Sequence, residues 1–253
     1  MALRWFRRHH DHRPSRYRPG MTNLEFERFE ALTFDCYGTL IDWEAGLTSA
    51  FATVLEAHGI EADSEDVLSR YARHEAAAEA GPYRRYRDVL ATGLQGVAGE
   101  LGFEPTIAEL EAFGGSVTDW PAFPDSAAAL TRLQERYRLG VITNCDDDLF
   151  AASNRRLGVE FDWIVTAQQV GAYKPDEACF HVALERLELP RERILHVAQS
   201  LFHDHVPARR LGFSTAWINR RWGRPGSGAT PPADAVPDAT YPDMASFAAA
   251  ATA

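Results

Sequence analysis

The stretch Ala31-Leu-Thr-Phe-Asp-Cys36-Tyr-Gly-Thr-Leu40 decides how the rest of the chain is read. Its apolar and β-branched start predicts a buried strand, and the strand ends on a carboxylate, Asp35. The Gly38-Thr39 turn that follows lets backbone N–H groups approach a ligand. Four later runs repeat the form: Leu139 to Asn144, Trp163 to Gln168, Ile194 to Gln199 and Ser214 to Asn219. Each is β-rich and each ends in a polar residue. Helical patterns separate them, over Ser126 to Tyr137, Asp148 to Leu157, Asp176 to Leu187 and Asp204 to Leu211, and each opens with the Ser or Asp that suits an N-cap or first turn. Strand and helix alternate, which predicts an α/β fold around a parallel sheet.

Between the first and second strands the pattern changes. Residues 43–118 contain no clear strand and are rich in Ala, Glu, Arg and Leu, too long a stretch for one crossover. An inserted helical cap accounts for it, leaving 21–42 and 119–253 as the core. Ligands of open α/β sheets bind outside the carboxyl ends of the strands, where such an insert would sit as a lid. The tail from Gly223 to Asp238 reads as a surface loop leading to a last short strand or helix.

Composition narrows the function. With 253 residues, 45% hydrophobic and 25% charged, the chain can bury a sizeable core. Its net charge of −10 has the wrong sign for tracking a phosphate backbone, so no nucleic-acid partner is expected. No apolar run approaches the roughly 18 residues of a membrane span. Residues 1–20 depart from the acidic trend with six arginines and read as a disordered basic extension, with Met21 as an alternative start. They lack the apolar stretch of a secretory signal. Cys36, Cys145 and Cys179 are odd in number and not closely paired, as expected in a reducing cytoplasm. Every basic residue is arginine except Lys174, which suggests a position where a compact ammonium is chemically required.

The polar strand ends are the candidate site. Asp35 is a plausible nucleophile. Thr143-Asn144 ends the second strand, Lys174-Pro175-Asp176 follows the third, and Gln199-Ser-Leu-Phe-His-Asp204 follows the fourth. On a parallel sheet all four segments converge at one end. Asp146-Asp147-Asp148 reads as an acid-rich helix N-terminus rather than a metal site. Tyr83-Arg-Arg-Tyr-Arg87 reads as a helix face with one or two inward, anion-binding arginines, and the tryptophans 43, 120, 163, 217 and 222 as packing residues.

In this order and at these spacings, Asp-x-Tyr-Gly-Thr-Leu, a hydroxyl residue plus Asn, Tyr-Lys-Pro-Asp, and an Asp five residues after Gln199 resemble the haloacid dehalogenase superfamily. The resemblance covers residues 28–222 and implies a doubly wound, Rossmann-like core with a helical cap. Phosphatases of that superfamily place a general-acid Asp where this chain has Tyr37, and a Mg²⁺-binding Asp where it has Gln199. A halide leaves as a stable anion and needs neither, so the closest resemblance is to the L-2-haloacid dehalogenase branch.

By that resemblance Asp35 attacks the α-carbon of a small 2-haloalkanoic acid, and water cleaves the resulting ester to the 2-hydroxy acid. Asp204 positions or deprotonates the water, and Lys174 screens and orients Asp35. Tyr37, Thr143, Asn144, Gln199 and Ser200 bind the substrate or the developing oxyanion, and Arg70 is the nearest fit to the cap's halide-binding arginine. No cofactor or metal is implied. The alternatives are a Mg²⁺-dependent phosphatase and hydrolytic opening of a C–N ring in a small cyclic acid, with Tyr37 or a nearby histidine as proton donor. The chain departs from the dehalogenase pattern at Gln199 and Leu201, where Ser and Asn are usual, and at Phe180, where Tyr is expected. His203 and His205 read either as an acid/base pair or as rim residues. The partner is a small carboxylic acid, and an apolar cap and core surface would support a homodimer.

Overall fold

The computed structural model describes residues 24–224 and 229–253. The basic segment 1–20 and Met21 lie outside the described residues, as do residues 225–228 of the tail. Strand β1 (Ala31–Phe34) is buried at every position, as expected for a central parallel strand covered on both faces. It is followed by α1 (Trp43–Ala57), α2 (Ser64–Glu79), α3 (Tyr86–Leu101) and α4 (Ile107–Gly115). Next come α5 (Ser126–Leu133), β2 (Arg138–Thr143), α6 (Asp147–Leu157), β3 (Trp163–Thr166), the short α7 (Ala167–Val170) and α8 (Ala178–Leu187). The chain ends with β4 (Ile194–Ala198), a π-helical turn over Leu201–His205, α9 (Val206–Arg210), β5 (Ser214–Ile218), β6 (Ala239–Tyr241) and α10 (Met244–Ala251).

All six strands are parallel, in the order β3-β2-β1-β4-β5-β6. From β1 the sheet grows first to one side, through β2 and β3, and then to the other, through β4. The carboxyl ends of β1 and β4 therefore border the crevice where the strand order reverses, the usual ligand position in doubly wound sheets. Most strands stop one or two residues before the polar residues that close them in the sequence, because those residues turn out of the sheet. Asp35 has already left β1, and Asn144 and Gln199 lie just past β2 and β4. The last helical run starts earlier than its acid suggests. Ser200 caps the turn by accepting from His203 N, so Asp204 lies inside it rather than at its start.

Three of the four helices between β1 and α5 carry a side-chain cap at their start, and α3 has none of its own. Asp42 accepts from Ala45 N, Asp63 accepts from Asp66 N, and Thr106 and Glu109 form a reciprocal capping box. On α2 the buried positions are Val67, Leu68, Tyr71, Ala72 and Glu75, one helical stripe that faces α3. At Gly93 of α3 the two helices approach so closely that a Cβ would lie 2.5 Å from the Tyr71 ring. The insertion is tied to the core by Asp146, which accepts from Tyr86 N at 3.1 Å and pairs with Arg85. Asp148 holds both Arg85 and Arg87. Arg85 and Arg87 of the 83–87 stretch thus reach the start of α6, and Arg84 bonds to Thr92 of α3, so none of the three lines the crevice. No helix among the described residues is long and apolar enough to cross a membrane.

Candidate active site

The site is organised by one ammonium. Lys174, 1% exposed, donates to Asp35 Oδ1 at 2.9 Å, Asp204 Oδ1 at 2.7 Å and the Ile142 carbonyl at 2.8 Å, which engages all three of its protons. Its backbone is fixed by Asn144, whose Oδ1 accepts from Lys174 N at 2.7 Å while its Nδ2 donates to Lys174 O at 3.0 Å. Asn144 lines the crevice, but its amide is mainly a clamp on the lysine. Burial would lower the Lys174 pKa, yet Asp204 and Asp35 outweigh it and hold the ammonium charged well above its usual range.

The two carboxylates differ. Asp35 Oδ2 accepts a 2.6 Å bond from the Thr39 hydroxyl, whose oxygen in turn accepts from Gln199 N. Burial raises the Asp35 pKa, Lys174 opposes the rise, and nearby Asp204 adds to it. The result is a poorly solvated and therefore reactive carboxylate. For Asp204 burial also acts upward, but Lys174 and a 2.9 Å contact with His196 Nε2 prevail, and the carboxyl stays far below its usual range. Its Oδ2 is buried without a hydrogen-bond partner. His196, buried in β4, is a site residue that sequence reasoning missed. Since Asp204 can only accept, His196 Nε2 carries a proton, and Thr33 Oγ1 lies 3.0 Å from its Nδ1.

These groups open on a chamber of about 30 Å³ lined by Asp35, Lys174, Asp204, Asn144, Ser200 and Tyr37 from the core, facing Trp43, Glu75, Glu79 and Tyr86 of the insertion. Tyr37 hydrogen-bonds with Ser153 Oγ and accepts from Cys145 Sγ. Burial pushes its phenol well above the usual range, so it is a poor proton donor for a leaving amine. Ser200 contacts the chamber while it caps the π turn. Glu75 and Glu79 were not among the residues that the sequence singled out. Their only signal is spacing, since they continue the buried stripe of α2 past Tyr71.

The structure separates other expected site residues from this group. Arg70 is bound by Asp66 at 2.8 Å and Glu100 at 2.6 Å on the outer side of the insertion, away from the chamber. Among the described residues no arginine lines that chamber. The Thr143 hydroxyl is buried, has no partner and does not reach the chamber. Gln199 Oε1 accepts from Thr230 and lines a neighbouring pocket with Arg220 and Arg221. His205 is fully buried, with Nε2 3.0 Å from the Ala198 carbonyl, so it is neither a rim residue nor one of an acid/base pair. His203 does line the chamber, and burial lowers its pKa to about 4, which leaves it neutral at neutral pH.

The donors present do not suit Mg²⁺. Such an ion needs several carboxylate oxygens free at one point. Here an amide stands at position 199 and points elsewhere, and Lys174 occupies the facing oxygens of Asp35 and Asp204. Among the described residues no group of three His, Cys, Asp or Glu could hold a metal ion.

A strand-end aspartate bridged by the lysine of a later loop to an aspartate beyond the fourth strand defines a class of hydrolase, and the comparisons agree. A family model described as haloacid dehalogenase-like hydrolase matches residues 29–201, and the chain belongs to that family. Among curated proteins it is 25% identical to an (S)-2-haloacid dehalogenase H-109 of Pseudomonas putida over 201 residues, 76% of this chain and 86% of the relative. A crystal structure of a defluorinating L-2-haloacid dehalogenase superposes with a TM-score of 0.76 at 23% identity, covering 89% of this chain and 96% of that one. The L-2-haloacid dehalogenase of Xanthobacter autotrophicus with chloropropionic acid covalently bound superposes at 0.73 and 21%, covering 87% and 97%.

Proposed function

We propose that the chain hydrolyses small 2-haloalkanoic acids to 2-hydroxy acids, with Asp35 as nucleophile and without metal or organic cofactor. The observation that carries this reading is the Lys174 ammonium bridging Asp35 and Asp204, at 2.9 and 2.7 Å. It orients the nucleophile and holds it beside Asp204. Halide displacement needs no metal cation.

In the first step an Asp35 carboxylate oxygen forms a bond to the α-carbon, and the halide leaves with the electron pair of the carbon–halogen bond. In the second, water adds to Cγ of the resulting ester and the 2-hydroxy acid departs. Asp204 Oδ2, buried without a partner, is placed to accept a proton from that water, and His196 and Lys174 hold the opposite oxygen in place. The N–H groups of Gly38, Thr39, Leu40 and Ile41 are engaged within the turn, so the substrate carboxylate or the developing oxyanion falls to those of Cys36 and Tyr37. The unpaired, buried thiols of Cys36, Cys145 and Cys179 suit a reducing cytoplasm.

The test is parallel assay of halide release from L-2-chloropropionate and phosphate release from p-nitrophenyl phosphate, each with Mg²⁺ and with EDTA. EDTA-resistant halide release that disappears in Asp35→Asn is expected. Mg²⁺-dependent phosphate release without halide would overturn the reading.

A further inference from the structure

Two buried carboxylates of the insertion take no part in the steps above. Glu75 and Glu79 lie one helical turn apart on α2, 4% exposed and with a 7% exposed side chain respectively, and both line the chamber. Among the described residues neither forms an ion pair with a lysine or arginine.

Their hydrogen bonds are unequal. Glu75 Oε1 accepts from two phenols, Tyr71 at 2.8 Å and Tyr86 at 2.9 Å. Among the described residues Glu79 Oε1 accepts only from Asn144 Nδ2, at 3.3 Å, and its Oε2 forms no hydrogen bond and lies 3.6 Å from His203 Nε2. Two neighbouring buried carboxyls resist carrying two charges, and the one better supplied with donors takes the first. Burial, and then Glu75, pushes the Glu79 pKa well above its usual range, while Glu75 itself is raised to about 7 by burial. The other titratable groups around Glu79 are Lys174 and Tyr173 from the core loop, His203, Tyr71 on α2, Tyr86 on α3 and Cys179 on α8. An anionic substrate beside it would favour the neutral acid further.

Position completes the argument. Asp35 lines the chamber from the turn after β1 and Glu79 lines it from α2. In-line displacement drives the leaving group away from the nucleophile, toward the helix wall. Glu79, Lys174 and His203 also line an adjoining outer cavity of about 540 Å³, so an ion released at Glu79 has a way out.

Building on the dehalogenase reading, we propose that neutral Glu79 donates a hydrogen bond from Oε2 to the departing halide, and that this suits the site to fluoride, the halide that accepts hydrogen bonds most strongly. The Asp35–carbon bond forms, the carbon–fluorine bond breaks, and its electron pair leaves on fluoride, which is held by the Glu79 O–H. Hydrogen fluoride is a stronger acid than a carboxyl so raised, so the proton stays on Glu79 and no reprotonation step is needed.

Halide release from fluoroacetate, chloroacetate and bromoacetate, compared in wild type, Glu79→Leu and Glu79→Gln, tests the proposal. Losing one transition-state donor costs roughly 100-fold or more, so Glu79→Leu is expected to lose that factor on fluoroacetate and successively less on chloroacetate and bromoacetate. Glu79→Gln, which keeps an N–H donor, is expected to recover much of the loss. Circular dichroism spectra and urea midpoints close to wild type show that the variants are folded. Equal losses on all three substrates, or wild type that releases chloride and bromide but no fluoride, would overturn the role of Glu79 alone. Wild type that releases no halide from any of them would instead remove the dehalogenase reading beneath it.

Discussion

The chamber has two walls built from the same functional group in opposite states. On the strand side Asp35 and Asp204 share a lysine, and Asp204 stays ionised despite complete burial. On the helix side Glu75 and Glu79 are buried with phenols and one amide for company, and burial pushes both upward. A cation that accompanies a carboxyl out of water opposes burial; at Asp204 it prevails, and at Asp35 burial still wins.

The largest expected effect falls on the charged wall. Asp35→Asn should reduce halide release at least ~10,000-fold with an unchanged circular dichroism spectrum, since removing a nucleophile removes the step itself. Lys174→Met comes next, because it strands two buried carboxylates. Stability should fall by about 3–5 kcal/mol in urea denaturation, and adding Asp204→Asn should restore part of it. An unaltered midpoint in Lys174→Met would mean that the carboxylates do not depend on the lysine.

The uncharged wall predicts a pH effect. The folded-state pKa of Glu75 is raised from 4.5 to about 7. Folded protein therefore keeps a proton that the unfolded chain releases across that window, and wild type loses stability as pH rises through it. Glu75→Gln has no such loss, so its stability relative to wild type should climb between pH 4.5 and 7 by on the order of 3 kcal/mol. A pH-independent difference would show Glu75 ionised like its partners across the chamber.

His196→Leu sharpens the contrast more gently. A hydrogen bond to a charged group is worth about 2 kcal/mol, so a roughly thirtyfold slower turnover is expected. If His196 acts by orienting Asp204, the loss appears after halide departure, as a burst of halide followed by accumulation of the ester, detectable by mass. The smallest effect is that of Arg70→Ala, which should leave KM and kcat for 2-chloropropionate unchanged, because the guanidinium is occupied by Asp66 and Glu100.

The charged wall could be read from the sequence, and the neutral wall could not. Asp35, Lys174 and Asp204 stand next to strand ends, and parallel strands bring their carboxyl ends together however long the intervening segments are. Glu75 and Glu79 look like ordinary solvated residues of an Ala-rich helix until the face of α2 that packs on α3 is known. The misplacement of Arg70 has the same origin. Successive helical residues are rotated by about 100°, so Arg70 turns toward Glu100 while its neighbour Tyr71 turns inward to Phe51 and Glu75. His196 was hidden because one polar residue in a buried strand gives no hint of its partner. Strand edges were overestimated because the polar residues closing each run belong to the loops, the very property that frees them for chemistry.

Lys174 is the only lysine in 253 residues, and its amine is enclosed with every proton engaged. These 253 residues therefore offer amine-selective reagents no second lysine side chain. An acylating dye that reaches the side chain does so only when the chamber has opened. One covalent mark at residue 174 would then serve as a clock for that opening, read by mass spectrometry without any engineered label.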